Sequence, residues 1–194
     1  MSDVNRKKLF WLFPLMTAIF VVAVWVVCFL RVNRAYPQAE LIQVGINEPL
    51  QYGPYAITVN HVYMEDTIAL YEKNGLSVGD KRLPEAMLVC AVTIERNSLD
   101  LTGSAQADLK ISHITATSGA WSNMVDTGEL YTVLNNGATM LDQLQEGEQQ
   151  TYLLPFGIWW DGFSANSLEH LDQRSFSLQL SIYPQKREVL LTDT

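Results

Sequence analysis

Cysteine is scarce in this chain of 194 residues, with only Cys28 and Cys90 present. Cys28 lies inside a long apolar run, so the remainder of the chain has one cysteine and cannot form an internal disulfide. A domain of that size must instead be held together by packing. Cys90 lies in the apolar stretch 87–92, which predicts a buried small hydrophobe rather than a nucleophile. Lipid attachment at Cys28 is the less favoured alternative to a filler role, because bulky residues occupy 25–27.

Catalytic and metal-binding motifs are also missing. The sequence contains no HExxH, paired CxxC, GxSxG or phosphate-cradling glycine loop. The histidines are separated by tens of residues and favour structural roles over a shared metal site: His61, His113 and His170. One acidic group is more simply a solvated turn than a calcium site: Asp142, Glu146 and Glu148. We therefore predict a protein that is not an enzyme and holds no cofactor or metal.

Basic residues are few beyond the N-terminal segment. Residues 35–194 contain eight Lys or Arg against 20 Asp or Glu, a formal charge of −12. Nucleic acids and anionic lipid surfaces both require positive patches, so neither suits this domain. The charge serves solubility in the simplest interpretation, and attraction of a cationic partner such as a basic peptide is the alternative.

Charged side chains are entirely absent from residues 9–30, a run of 22 residues directly behind the basic cluster Arg6, Lys7 and Lys8. At ~1.5 Å per residue, a helix of this length spans about 33 Å, which matches a bilayer core of about 30 Å. A cleaved signal peptide would have a shorter apolar region, of roughly 7 to 15 residues. The run is therefore predicted to be a membrane anchor that stays attached to the chain.

The anchor divides the chain into four parts. They are a cytoplasmic basic tail, the transmembrane helix, a linker and a domain outside the cytoplasm: 1–8, 9–30, 31–40 and 41–194. The orientation rests on three basic residues before the run against Arg31 and Arg34 after it, which favours a cytoplasmic N-terminus.

Seven strands are predicted in the domain from apolar patterns that turn residues separate. Their ranges are 41–46, 55–64, 86–96, 107–117, 151–158, 175–183 and an edge strand at 189–191. The strand at 86–96 is apolar on both faces, which predicts a central position covered on both sides. An irregular loop or small hairpin is predicted over 65–84, and Asn166 with Glu169 resembles a capping box that opens a short helix.

Alternation also predicts which side chains share a face within three of these strands. The three sets are Ile57, Val59 and His61; Leu109, Ile111, His113 and Thr115; and Phe176, Leu178, Leu180 and Ile182. Short alternating strands with almost no helical periodicity after the anchor predict an all-β ectodomain, an immunoglobulin-like β-sandwich behind a single N-terminal transmembrane helix. A β-barrel is the alternative.

The order of these features resembles that of bacterial membrane-anchored or lipid-anchored domains of unknown function with an immunoglobulin-like, telokin-like fold. The residues that carry the resemblance are the strand 87–94 with the following 95–97, the turn 144–148 and the strand 151–156. In that family a leucine and a glycine–acid pair precede a strand, and an apolar strand ends at an asparagine. The resemblance covers most of 41–183 and implies a surface-exposed binding or shielding role, sometimes beside transporters or export systems, with no catalytic residues to carry over.

One segment departs from the otherwise even composition, because residues 156–163 contain four large aromatics and end at a turn. Exposed aromatic side chains dominate binding hot spots. The candidate partner-binding residues are therefore Trp159, Trp160, Asp161 and Phe163. The favoured alternative is that the rings close one end of the sandwich over its core. In the binding hypothesis, Trp159 or Trp160 contacts a partner protein or the nearby membrane interface.

Anchor and domain together predict a non-catalytic, membrane-tethered binding or accessory module on the outer side of the cell membrane. It would serve a transporter, an export system or the interception of a peptide. Its partners would be the membrane, crossed once, and a protein or peptide, with no nucleic acid. A structural subunit of a membrane complex is the alternative, and an enzyme is a remote third. Exchange of 9–30 for an unrelated apolar helix separates the first two, because only a structural subunit would lose its assembly.

Overall fold

The computed structural model describes residues 3–36, 39–97, 109–137, 144–163, 171–182 and 185–191. The chain divides into two compact units, Met1–Ala39 and Glu40–Thr194. The first unit is helical, and the second is a β-sandwich with two short α-helices. Four residues named above lie outside the described parts of the chain: Asp142, Asn166, Glu169 and His170.

Helix α1 spans Asp3–Ala35 and contains the whole charge-free run. Within it, Met16–Ala35 has a mean hydropathy of 2.1, and this stretch of 20 residues is long and apolar enough to cross a membrane. The helix continues through 31–35, which the sequence interpretation assigned to the linker, because that stretch contains no glycine or proline. Pro37 follows the helix closely, and a proline disfavours helical backbone at the residue before it.

In the part of the chain that the structure describes, nine strands form the sandwich, in two sheets. Their bounds are β1 Glu40–Val44, β2 Leu50–Tyr52, β3 Tyr55–Asp66, β4 Ala86–Arg96, β5 Thr115–Ser118, β6 Trp121–Met124, β7 Gln149–Ile158, β8 Ser177–Ser181 and β9 Gln185–Leu190. One sheet has the order β1-β9-β8-β5-β6 and the other the order β2-β3-β4-β7. All pairings are antiparallel except that of β1 with β9. The sequence interpretation found no counterpart of β2 and β6, which are only three and four residues long.

We define two ends of the sandwich by the strands that begin or finish there. The near end is where β1 begins, together with the first residues of β3, β7 and β9. The far end is where β3 and β7 finish and where β4, β6 and β8 begin. Ten residue pairs join β4 to β7 between the two ends. At ~3.3 Å per residue, the ends are about 30 Å apart.

The main core lies between the two sheets. The four-stranded sheet contributes Ile57, Val92 and Phe156, and the five-stranded sheet contributes Leu178 and Val189, all of them fully buried. The predicted β-sandwich is therefore confirmed. Each fully buried side chain of this size stabilises the fold by roughly 1.5–3 kcal/mol through removal of apolar surface from water.

A second, smaller core covers the outer face of the four-stranded sheet. Helices α2 (Thr67–Lys73) and α3 (Glu129–Leu134) pack Leu70, Tyr71 and Leu130 there against Met87 and Val89 of β4. β4 is thus covered on both faces, as predicted from its apolar pattern. The predicted loop at 65–84 is wrong over α2. That helix begins at Asp66, whose carboxylate accepts a hydrogen bond from the amide of Ala69 at 3.0 Å.

Within the described residues, the outer edge of β7 is covered by the side chain of Asn135 and the backbone amide of Asp126 rather than by another strand. Asn135 follows α3, and its side chain accepts from the amide of Leu153 at 2.8 Å and donates to the carbonyl of the same residue at 2.9 Å. Two residues further along, the carbonyl of Pro155 accepts from the amide of Asp126 at 2.8 Å. Unpaired strand edges invite association with other chains, and these contacts remove that opportunity.

The motifs that carry the family resemblance meet at the near end. The amide of Arg96, at the end of β4, donates to the carbonyl of Glu148 at 2.9 Å, and the amide of Gly147 donates to the carbonyl of Arg96 at 2.7 Å. The guanidinium of Arg96 donates to the carbonyl of Leu144 at 2.6 Å. Gly147 has a φ of 81°, a conformation that glycine adopts without strain. The glycine of the motif is therefore required by the turn.

Two bulges overturn predictions about facing. β3 has a register shift between Val59 and His61, and β8 has one between Gln179 and Ser181. An extra residue reverses the alternation beyond it. His61 is therefore exposed rather than on the face of Val59, and Ile182 is 72% exposed rather than in the core.

The predicted strand at 107–117 is wrong over most of its described length. A 3₁₀ turn at Ile111–His113 precedes β5, which begins only at Thr115. The turn shifts the alternation, so that the buried residues are Leu109, Ile111, Ile114 and Ala116. His113 is exposed instead of sharing the face of Leu109 and Ile111.

Candidate functional site

The predicted partner-binding residues lie at the far end of the sandwich, directly after β7. A 3₁₀ turn at Trp160–Gly162 follows the strand, and the amide of Phe163 donates to the carbonyl of Trp160 at 3.0 Å. The tight turn directs consecutive side chains to different neighbours. The four aromatics of the segment therefore have four different environments, beginning with Phe156, which is fully buried in the main core.

Trp159 is half-buried and has a cation over its ring. The guanidinium of Arg82 lies 5.1 Å from the ring centroid. The same group pairs with Asp161 at 2.9 Å, between side chains that are 77% and 67% exposed. A cation over an indole face is attracted by the ring quadrupole. Trp159, Arg82 and Asp161 thus form one connected group on the surface.

Phe163 covers the end of the five-stranded sheet. Its ring lies 5.8 Å from that of Trp121, which in turn meets the ring of Phe176 edge-on at 5.8 Å. The guanidinium of Arg174 lies 5.1 Å above Phe163. Phe163 and Trp121 pack against the main core as partly buried residues. The predicted closure of the sandwich by aromatic rings therefore describes Phe163 and Phe156, but not the whole segment.

Trp160 projects from the surface and is 53% exposed. Its amide is fixed by Glu85, whose carboxylate accepts a hydrogen bond from it at 2.8 Å. Trp160 lines a cleft of about 270 Å³ together with residues of α2 and of the segment that leads into β4. The other lining residues are Asp66, Ile68, Val78, Lys81, Leu83, Pro84 and Glu85.

Both charged and apolar groups face this cleft. The amine of Lys81 pairs with Glu129 at 2.6 Å. That hydrogen bond raises the pKa of Lys81 above its ordinary value, so the amine stays protonated. Ile68 is 52% exposed and adds aliphatic surface to the rim. An aromatic ring, aliphatic walls and two carboxylates suit the binding of a group that is both apolar and charged.

The sequence interpretation identified the aromatic segment but missed the residues that complete the cleft. Asp66, Ile68 and Glu85 all belong to the stretch predicted as loop or to its border. The N-cap signal of an aspartate before 67–71 was available, but a helix of seven residues gives little periodicity. Trp121 was missed because β6 has four residues and its burial alternates only weakly.

The other candidate groups of the sequence analysis do not come together. His61 and His113 are exposed on different sheets, at β3 and before β5. Within the residues that the structure describes, no three His, Cys, Asp or Glu side chains are grouped to hold a metal. The prediction for Cys90 is confirmed, because the residue is fully buried in β4 and burial raises the pKa of its thiol to about 12.

The fold and the aromatic corner describe a two-sheet β-sandwich protein with a surface cleft at one end. The chain matches the family described as a domain of unknown function (DUF5028) over residues 34–187, and it belongs to that family. Among solved structures it is similar to an uncharacterized β-sandwich protein from Clostridium difficile 630, with 11% identity and a TM-score of 0.44. That similarity covers 80% of this chain and 97% of the other. The comparison with curated proteins gave no match.

Proposed function

We propose that this chain is a non-catalytic, single-pass membrane protein whose sandwich lies outside the cytoplasm. The sandwich binds a protein or peptide through Trp160 and the cleft that it lines, which we call the Trp160 corner. The observation that carries the proposal is the exposure of Trp160, 53%, at the rim of a cleft. Within the described residues from 40 onwards, it is the only tryptophan, tyrosine or phenylalanine among the exposed large hydrophobic side chains. An exposed tryptophan next to a concave surface is typical of a binding hot spot.

The membrane part of the proposal is supported by α1. Its apolar stretch is long enough to span a bilayer, and the basic residues 6–8 precede the charge-free run. The side chains of 16–35 are exposed to the surroundings of the helix, as expected of a helix whose partner is lipid.

An immunoglobulin-like architecture is supported by the strand order. In variable-type domains, one sheet contains the last two strands as a hairpin, then the C strand and the C′ strand. The order β9-β8-β5-β6 follows that sequence of neighbours. β1 extends the sheet by pairing in parallel with the last strand. The family resemblance to membrane-anchored domains with this fold is part of the same proposal.

Trp160 lies at the end of the sandwich opposite to the start of β1. The chain passes from α1 to β1 through residues 36–39, so the near end of the sandwich is the tethered end. The Trp160 corner is at the far end, about 30 Å along the strands.

Photo-crosslinking in intact cells tests the proposal. A benzoylphenylalanine replaces Trp160 in the full chain, and the matched control carries it at Met124, which is 59% exposed elsewhere on the sandwich. We expect a discrete crosslinked protein or peptide from position 160 and none from position 124. Identical crosslinks from both positions, or none from position 160, would contradict the proposal.

Protease added to intact cells tests the topology separately. We expect cleavage within 40–194 while a tag on the N-terminus stays protected until the cells are lysed. Protection of the C-terminal region in intact cells would place the sandwich on the wrong side of the membrane.

A further inference from the structure

We infer that the cleft beside Trp160 binds the cationic side chain of an arginine or lysine that the partner presents. This inference rests on the proposed function, since it specifies the chemistry of the partner at the same corner. The occupant would be a basic segment of a protein or peptide, with apolar residues next to the cation.

A neighbouring group within the chain shows what such recognition requires. Arg82 lies over the ring of Trp159 at 5.1 Å and pairs with the carboxylate of Asp161 at 2.9 Å. An indole face and a carboxylate thus hold one guanidinium between them. Both attractions favour a delocalised cation, because the ring attracts it electrostatically and the carboxylate accepts its hydrogen bonds.

The cleft contains the same kinds of groups, but among the residues that the structure describes no cation is paired with them. Glu85 uses its Oε2 to accept from the amide of Trp160 at 2.8 Å, and Asp66 uses its Oδ1 to accept from the amide of Ala69 at 3.0 Å. Among the described residues, Oε1 of Glu85 and Oδ2 of Asp66 have neither a hydrogen bond nor an ion pair. The ring of Trp160 likewise has no cation over it. These three groups remain available to a partner.

The charge balance of the cleft favours the same occupant. Of the described residues that line the cleft, Lys81 alone is basic, and its amine already pairs with Glu129 at 2.6 Å. Two carboxylates of the lining therefore lack a compensating cation among the described residues, and the formal charge over 35–194 is −12. An anionic ligand would meet repulsion from both carboxylates.

The apolar walls and the size of the cleft specify the occupant further. Ile68, Val78 and Leu83 offer aliphatic surface beside the carboxylates. Long basic side chains bury their methylene stems against such surface while the charged head stays with polar groups. At about 270 Å³, the cleft is smaller than the 300–1,000 Å³ typical of small-molecule sites. It suits one side chain of a larger partner.

A defined peptide pair tests the inference on the full chain in nanodiscs of neutral phosphatidylcholine. The probe is a fluorescent hexapeptide of alternating leucine and arginine, and its control contains citrulline, which keeps the shape of arginine without its charge. Fluorescence anisotropy gives both dissociation constants. We expect the citrulline peptide to bind at least about tenfold more weakly, since it loses both the cation–π attraction and the charged hydrogen bonds.

Two conservative variants test whether the cleft causes this difference in affinity between the two peptides. Glu85→Gln and Asp66→Asn each remove one charge but keep an oxygen that accepts the structural hydrogen bond, and asparagine is as good an N-cap as aspartate. We expect each to weaken arginine-peptide binding by about threefold or more, with little change for the citrulline peptide. Trp160→Leu should weaken the arginine peptide in the same way. Glu95→Gln is the matched control, because it makes the same change in net charge at the near end, far beyond a Debye length of about 8 Å.

The outcomes separate this inference from the proposed function. Equal binding of both peptides to the unaltered protein would overturn the inference, and so would an equal effect of Glu95→Gln and Glu85→Gln. Crosslinking from position 160 alongside equal binding of the two peptides would leave the proposed function standing while the cationic occupant fails. Charge-dependent peptide binding without crosslinking in cells would instead support the cationic occupant and contradict the proposed function.

Discussion

At the near end of the sandwich, backbone hydrogen bonds join the turns. The backbone of Arg96 makes two of these hydrogen bonds with the 144–148 turn. Its guanidinium makes an additional side-chain hydrogen bond to the same turn. At the far end, side chains provide the closure, through the rings of Phe163 and Trp121 and the exposed ion pair of Arg82 with Asp161. At the near end the side chain of Arg96 adds to backbone contacts, whereas the closure at the far end depends on aromatic and charged side chains.

This difference between the two ends fits the proposed function. A recognition surface is adjusted by substitution of exposed residues, and the far end offers residues such as Trp160 and Ile68 that the core does not need. The near end, where β1 begins, is held by contacts between Arg96 and the 144–148 turn. In the proposed function, the near end maintains the fold and the far end recognises the partner.

The largest expected effect divides the aromatic segment itself. Phe156→Ala should lower the free energy of unfolding by about 3–5 kcal/mol, because it empties a fully buried site in the main core. Trp160→Ala should cost less than about 0.5 kcal/mol, as for a surface substitution outside any packed feature. Urea unfolding of the full chain in micelles, followed by circular dichroism, measures both. Comparable losses for the two variants would show that Trp160 belongs to the core and not to a recognition surface.

A smaller loss of stability is expected on substitution of Arg96 at the near end, and a still smaller one on substitution of Arg82 at the far end. Arg96→Met removes the donor to the carbonyl of Leu144, and hydrogen bonds to charged groups contribute about 1.5–3 kcal/mol. Arg82→Met breaks an ion pair whose partners are mostly exposed, and such pairs contribute about 0–1 kcal/mol. The same unfolding measurement applies. An Arg82 variant as unstable as the Arg96 variant would remove the contrast between the ends.

Glycines at the far end sharpen the comparison further. A Cβ added at Gly157 would lie 2.9 Å from the ring of Pro84, so Gly157→Ala should cost about 1–3 kcal/mol through overpacking. At Gly162 the nearest atom would be in Trp121 at 3.6 Å, an ordinary contact, and Gly162→Ala should be nearly neutral. Melting temperatures of the two variants decide this. Equal melting temperatures for the two variants would mean that Gly157 is loosely packed against Pro84.

Much of the sandwich could be predicted because its central strands have strong patterns. β4 is apolar on both faces and lies between two cores, while β8 alternates correctly through Phe176, Leu178 and Leu180. The wrong predictions about which side chains share a face have one physical cause. The bulges in β3 and β8 and the 3₁₀ turn at Ile111–His113 each insert a shift that a strict period of two cannot anticipate.

The candidate site was predictable in part. Four aromatics near a turn identified the segment, but the exposure of each ring depends on the 3₁₀ turn at Trp160–Gly162 and on Arg82, which is distant in sequence. The cleft walls come from α2 and the chain before β4, which tertiary packing assembles. Short helices take most of their stability from such packing, so their sequences carry weak signals.

The smallest effect at neutral pH is expected at Cys90, which lies midway along β4 opposite Leu154. In a Cys28→Ser background, iodoacetamide should modify this thiol only at the rate of global unfolding, because opening of the far end alone leaves it buried. Burial raises the pKa of the thiol to about 12, so the unfolded chain loses this proton at lower pH than the folded one. Stability should therefore be retained below the ordinary thiol pKa and decline as pH rises from about 9 toward 12. Modification much faster than unfolding at neutral pH would show that the centre of the sandwich opens together with its far end.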